Sequence, residues 1–116
     1  APESFVPDYQ GVIQGGFVVT SGQSPNDPDT WALHGSGIAG QAEQVMKNLA
    51  VVLEAAGSSL SSAVKTTCFL KNMDDFAAMN EVYATFFEGE PPARSAVEVA
   101  RLPKGALVEI EAIAFA

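Results

Sequence analysis

Apolar residues at Ile38, Ala42, Val45, Met46, Leu49, Leu53 and Ala56 recur at i, i+4, i+7 and i+8, with Gln41, Gln44, Lys47 and Glu54 around the rest of the wheel. That spacing predicts a helix with one buried stripe. Ser36 is its expected N-cap and Gly57 its C-terminal stop. Phe76, Met79, Tyr83, Phe86 and Phe87 repeat the helical period, so a second one-faced helix is expected, capped by Asp74 and closed by Gly89 and Pro91-Pro92.

Elsewhere the period is two. Two short runs between Val12 and Gln23 surround Gly15-Gly16, which is hairpin chemistry, and Gly22 ends the second run. Ala63 to Leu70 predicts a strand with Val64, Thr66, Cys68 and Leu70 on one face and Lys65, Thr67 and Phe69 on the other. Ser95 to Ala100 and Leu107 to Phe115 are two further strands joined through Pro103-Lys104-Gly105. In the last strand Val108, Ile110, Ala112 and Ala114 fall on one face, and Leu107, Glu109, Glu111, Ile113 and Phe115 on the other. Ala1 to Gln10, with Pro2 and Pro7, reads as an extended arm, and Ser24 to Gly37, carrying Trp31 and His34, as a loop.

The resulting order is β-β-α-β-α-β-β, an α+β domain over 1–116 whose two helices cover one side of one sheet. The other face of the sheet, half apolar and half acidic along Leu107 to Phe115, is expected to be shared with a partner. Its polar residues then become candidates for a site between subunits.

Composition narrows the chemistry. The chain has 116 residues, of which 47% are hydrophobic and 17% charged, with a net charge of −8. So acidic a body repels polyanions, which argues against nucleic acid and acidic membranes as ligands. Cys68 is the only cysteine and His34 the only histidine, which leaves no intrachain disulfide and no His/Cys metal cluster. No apolar run reaches the roughly 20 residues of a membrane span, so a soluble cytoplasmic protein is expected.

Six blocks carry a resemblance: Phe-Val-Val-Thr-Ser-Gly-Gln (17–23), Val-Lys-Thr-Thr-Cys-Phe-Leu (64–70), Asp-Phe-Ala-Ala-Met-Asn-Glu-Val-Tyr (75–83), Pro-Pro-Ala-Arg-Ser (91–95), Val-Glu-Val-Ala-Arg-Leu-Pro-Lys-Gly-Ala (97–106) and Val-Glu-Ile-Glu-Ala-Ile-Ala (108–114). In this order and spacing the chain resembles the RidA/YjgF/UK114 family of reactive-intermediate deaminases. The resemblance implies a chorismate-mutase-like fold, with one mixed sheet and two helices on one face, assembled as a homotrimer. It also implies hydrolysis of 2-imino acids, such as 2-iminopropanoate and 2-iminobutanoate, to 2-keto acids and ammonia in clefts between subunits, without cofactor or metal.

Residue by residue, Arg94 matches the family arginine that grips the substrate carboxylate, for which a planar fork of donors is suited. Glu109 matches the glutamate that orients the attacking water and moves protons. Ser21 and Gly22 match a Ser-Gly pair lining the pocket, where glycine permits close backbone approach. Asn80 matches an asparagine of the second helix, and Ala96 the position whose backbone N–H reaches the carboxylate, where many relatives carry Cys. The family tyrosine after Gly-Pro has no exact match: either Asp8 occupies that position and adds negative charge, or Tyr9, one place later, fills it. The alternative to an enzyme is a non-catalytic protein that binds small carboxylates on the same trimer.

Overall fold

The computed structural model describes residues 3–4, 10–35 and 37–116. Strands β1 (Glu3–Ser4), β2 (Gly11–Gln14), β3 (Phe17–Thr20), β4 (Ala63–Leu70), β5 (Ala93–Glu98) and β6 (Val108–Phe115) form one sheet in the order β1-β2-β3-β6-β4-β5. Only β4 and β5 run parallel, so the sheet is mixed. Helices α1 (Gly37–Ala55) and α2 (Phe76–Ala84) pack on one side of it.

Local chemistry explains the elements. Gly15 and Gly16 both take positive φ, +59° and +82°, which a two-residue hairpin of right-twisted strands requires. Helix α1 ends at Gly57, also at positive φ, where Ser58 N–H donates to Leu53 O and Gly57 N–H to Glu54 O. These are the two bonds of a Schellman stop. The core joins Val45, Met46, Leu49 and Leu53 of α1 and Met79 and Tyr83 of α2 to Val18, Cys68, Leu70, Val108, Ile110, Ala112 and Ala114 of the sheet. The alternation expected in the last strand is therefore the one observed.

Six details differ from expectation. Helix α2 stops at Ala84, short of Phe86, Phe87 and Gly89. Gln41, expected on the polar side of α1, is buried, and its Oε1 accepts from Leu107 N–H. Part of the N-terminal arm is a strand: Glu3 and Ser4 pair with Ile13 and Val12. Val64 leaves the buried face because the β4–β6 register slips between Ala63 and Lys65. A bulge turns one residue off the alternation while the rest of the strand keeps it. Asp74 does not cap the second helix; the Asn72 side chain accepts from Asp74 N–H and opens a 3-10 turn, Met73–Asp75, before α2 begins. Asn72 holds the extended backbone that a cap needs, whereas Asp74 is already inside the turn. The fifth strand starts at Ala93, two residues early, because its ladder with β4 begins at Lys65↔Ala93. The Ser36 cap lies outside the described residues.

Cys68 is fully buried, and burial pushes its thiol up to about 11, against a weaker opposing pull from the Arg94 cation. The folded value lies above the ordinary value of 9.0, so the stability linked to Cys68 is complete below about pH 9 and is lost as pH rises through 11. Urea unfolding at pH 8 and pH 11 should show a loss about 2–3 kcal/mol larger for the wild type than for Cys68→Ala. Equal losses in the two proteins would refute this.

Among the described residues, no helix lies on the opposite side of the sheet. Phe17, Val19, Val97, Ile113 and Phe115 lie exposed there, with Phe115 54% accessible and stacked on Phe17 at 5.1 Å between ring centroids. Glu109 and Glu111 share this face, as does Lys65, whose ammonium donates to Ser95 Oγ at 2.8 Å. Among the described residues no helix is long and apolar enough to cross a membrane.

Candidate functional site

Helix α2 presents Phe76, Asn80 and Tyr83, at i, i+4 and i+7, along one face. The Arg94 side chain of β5 lies across that stripe. Its Cζ sits 4.6 Å from the Tyr83 ring centroid and 5.1 Å from that of Phe76, and its Nη1 donates to Asn80 Oδ1 at 2.6 Å. The aromatic faces attract the cation, and the amide takes one of five guanidinium donors and leaves four. No carboxylate within salt-bridge distance of Arg94 is found among the described residues, in a chain with 14 acids. Arg94 thus opens onto a cleft of about 450 Å3 lined by Asn80, Tyr83, Ala84, Phe87, Pro92 and Gly89. Ala96, two residues along the same edge strand, packs against the core opposite Cys68.

A second group forms where the chain leaves β3. Gln23 bridges Ile110 of β6 through two backbone bonds, so Gly22 and Ser24 flank that contact beside Glu109. Ser24 Oγ donates to Glu109 Oε1 at 3.3 Å. A β-carbon on Gly22 would stand 2.7 Å from Glu109 Cδ, closer than real contacts allow, so the carboxylate can lie there only because residue 22 has none. Ser21 and Gly22 also border a larger cleft, about 710 Å3, that runs between the 24–31 loop and α1 past Trp31, which is 54% exposed.

The structure therefore brings Arg94 and Asn80 together, and Glu109 with Gly22, but it does not bring the two groups together. Arg94 is on the helix side: Thr66, its partner across the ladder, is buried and shares a hydrogen bond with Tyr83. Glu109 is on the open side, since Val108 and Ile110 next to it are buried under the helices. Strand β4 lies between them, with Thr66 opposite Arg94 and Phe69 opposite Glu109. Two strand spacings across and three residues along separate the two backbones by about 14 Å. One small substrate cannot touch both side chains within a single chain. Asp8 and Tyr9 lie outside the described residues.

Ser24, Phe76 and Tyr83 were not singled out by the sequence as site residues. The helical period marks Phe76 and Tyr83 as apolar stripe, and only their i, i+4, i+7 relation to Asn80 hints at a shared task. Ser24 had no local signal at all, being 85 residues from Glu109.

The full chain, residues 1–116, matches the family model described as Endoribonuclease L-PSP. It is 48% identical over 117 residues to the 2-iminobutanoate/2-iminopropanoate deaminase of Salmonella typhimurium, covering 98% of this chain and 91% of that protein. The crystal structure of the YjgF gene product of Escherichia coli superposes with a TM-score of 0.88 at 45% identity, covering 99% of this chain and 92% of the other. The structure of Escherichia coli TdcF with bound serine matches with a TM-score of 0.88 at 41% identity, covering 100% and 93%.

Proposed function

The chain belongs to the Endoribonuclease L-PSP family, which includes RidA and YjgF, and from that premise we propose that it hydrolyses 2-imino acids to 2-keto acids and ammonia at sites formed between copies of itself. The carrying observation is Arg94. In a chain of net charge −8, its half-buried guanidinium has no acidic partner among the described residues and four donors to spare. That is a receptor for a small carboxylate. The Salmonella deaminase relative supports the reaction class, and TdcF, crystallised with serine, supports a small amino-acid-like ligand.

In this reading a homotrimer packs its apolar open faces, Phe17, Val19, Ile113 and Phe115 among them, around a common centre. The β5 edge of one copy also meets its neighbour in this reading, so that Arg94, on the helix side of that edge strand, faces Glu109 of the partner subunit and completes the site that a single chain leaves in halves. Arg94 and the Ala96 N–H hold the substrate carboxylate, and Asn80 fixes the guanidinium. The partner's Glu109, held by the hydroxyl of its own Ser24, accepts a proton from water as the oxygen adds to the imine carbon. The C=N double bond becomes a carbinolamine. With the imine entering as its iminium, this carbinolamine is neutral. The partner's Glu109 passes the proton it took from water to the nitrogen, the C–N bond breaks with its electron pair leaving on ammonia, and the same carboxylate takes the hydroxyl proton as the C=O bond of the keto acid forms.

A ribonuclease reading of the family description has the charge against it, since a chain at −8 repels a polyanion. Binding without turnover is the remaining alternative. The test generates 2-iminopropanoate in situ with a dehydratase and measures pyruvate release against buffer. Acceleration supports the enzyme; calorimetric binding of 2-ketobutyrate without acceleration supports the carboxylate-binding protein and ends the deaminase reading.

Gly22→Ala provides an independent check on the Glu109 half. The added β-carbon pushes the end of a flexible side chain, so the fold should hold while the carboxylate moves off Ser24. Turnover is expected to fall about tenfold or more at a melting temperature within a few degrees of wild type. Full activity in this variant would show that the Glu109 position is not critical.

A further inference from the structure

Tyr83 does more than fill the core. Its hydroxyl lies 2.6 Å from Thr66 Oγ1, both groups buried, while its ring lies beneath the Arg94 guanidinium at 4.6 Å. Thr66 is itself the residue directly opposite Arg94 in the β4–β5 ladder. The three residues close a loop: backbone register joins Arg94 to Thr66, a hydroxyl pair joins Thr66 to Tyr83, and a ring face joins Tyr83 to Arg94. Phe87 packs on the same ring, at 4.9 Å between centroids.

From this closed circuit we infer that Thr66 and Tyr83 are positioning residues that set the plane of the Arg94 guanidinium, and so the affinity of the site for a carboxylate. The inference rests on the proposed role of Arg94. An unrestrained arginine has several rotatable bonds, and a bidentate grip requires one orientation of its fork. Asn80 fixes a single N–H, which leaves rotation about that bond; the ring fixes the plane. The phenol oxygen lies on the χ2 axis, so its bond to Thr66 holds the outer end of the ring against a swing about χ1, while core packing holds χ2; together they fix where the ring face meets the guanidinium. Burial raises the Tyr83 phenol above its ordinary value, which keeps it protonated and able to donate.

The discriminating variant is Thr66→Val with Tyr83→Phe. Removing both hydroxyls leaves no orphaned buried group and preserves shape, so the fold is expected to survive. For 2-iminobutanoate, KM should rise about fivefold to tenfold with kcat within about twofold, and calorimetric affinity for 2-ketobutyrate should fall by the same factor. A purely structural role would move the melting temperature but not split KM from kcat. Tyr83→Leu, which deletes the ring, should raise KM further, whereas Tyr83→Phe alone should rescue part of it.

A second readout needs no turnover. In the wild type the Arg94 Nη nitrogens should give separate 15N signals because the stacked guanidinium rotates slowly, and in the double variant they should coalesce. Coalescence in a protein that neither binds nor hydrolyses its substrate would uphold the positioning role and refute the function. Resolved signals and an unchanged KM in the double variant would overturn the inference while leaving the function intact.

Discussion

Arg94→Ala is expected to lower kcat/KM for 2-iminobutanoate by about 10² to 10⁴. Charge-assisted hydrogen bonds contribute about 1.5–3 kcal/mol each, a bidentate grip makes two, and about 1.4 kcal/mol corresponds to a factor of ten. Affinity for 2-ketobutyrate should disappear with it, because the keto acid carries the same carboxylate. Arg94→Lys is the sharper comparison. It keeps the charge but lacks the planar fork and cannot lie flat on Tyr83, so it should recover less than a tenth of wild-type activity. The fold should persist in both, since the residue lies on an edge strand and its loss leaves Asn80 facing a cleft that admits water. Arg94→Ala within threefold of wild type would remove the basis of the proposed site.

Glu109→Gln should leave KM within about threefold and reduce kcat by about 10² to 10⁴, the range general-base catalysis supplies. The amide oxygen of Gln can still accept from Ser24, and the side chain has the same length, so position is kept while the capacity to take a proton is lost. The contrast with Arg94 is the informative part: one variant acts on binding, the other on the chemical step. A Glu109→Gln protein of unchanged kcat would assign water activation to another group. Mixing the two inactive variants adds a test of assembly. If each site draws Arg94 and Glu109 from different copies, coexpressed Arg94→Ala and Glu109→Gln chains should regain part of the activity, because some interfaces then carry both wild-type residues.

Much of this molecule was legible in the sequence. The stripes of α1 and α2 and the alternation of β6 named most of the buried residues, Gln41 and Val52 of α1 excepted, because local periodicity reports which side of an element faces apolar surroundings. The hairpin at Gly15-Gly16 and the stop at Gly57 were legible because both need a positive φ that glycine adopts without strain. The misses were equally physical. Asp74 and Asn72 have similar capping chemistry two residues apart, and only the backbone angles chose between them. Val64 follows the alternation in sequence, but pairing with β6 slips by one residue beside it. Nothing in the Pro-containing arm indicated that Glu3 and Ser4 would find a strand to pair with.

What the sequence determined alone was every longer element, the face that most of them bury, the acidic charge, and the helix-free side of the sheet, with Arg94 singled out by the resemblance. These follow from periodicity and side-chain chemistry, which act over a few residues. Tertiary structure decided the rest: that Arg94 and Glu109 face opposite sides with β4 between them, that Tyr83 links Arg94 to Thr66, and that the carboxylate of Glu109 occupies the space Gly22 leaves empty. Each of these depends on strand order and register, which bring together residues such as Ser24 and Glu109, 85 positions apart, and which no local pattern records.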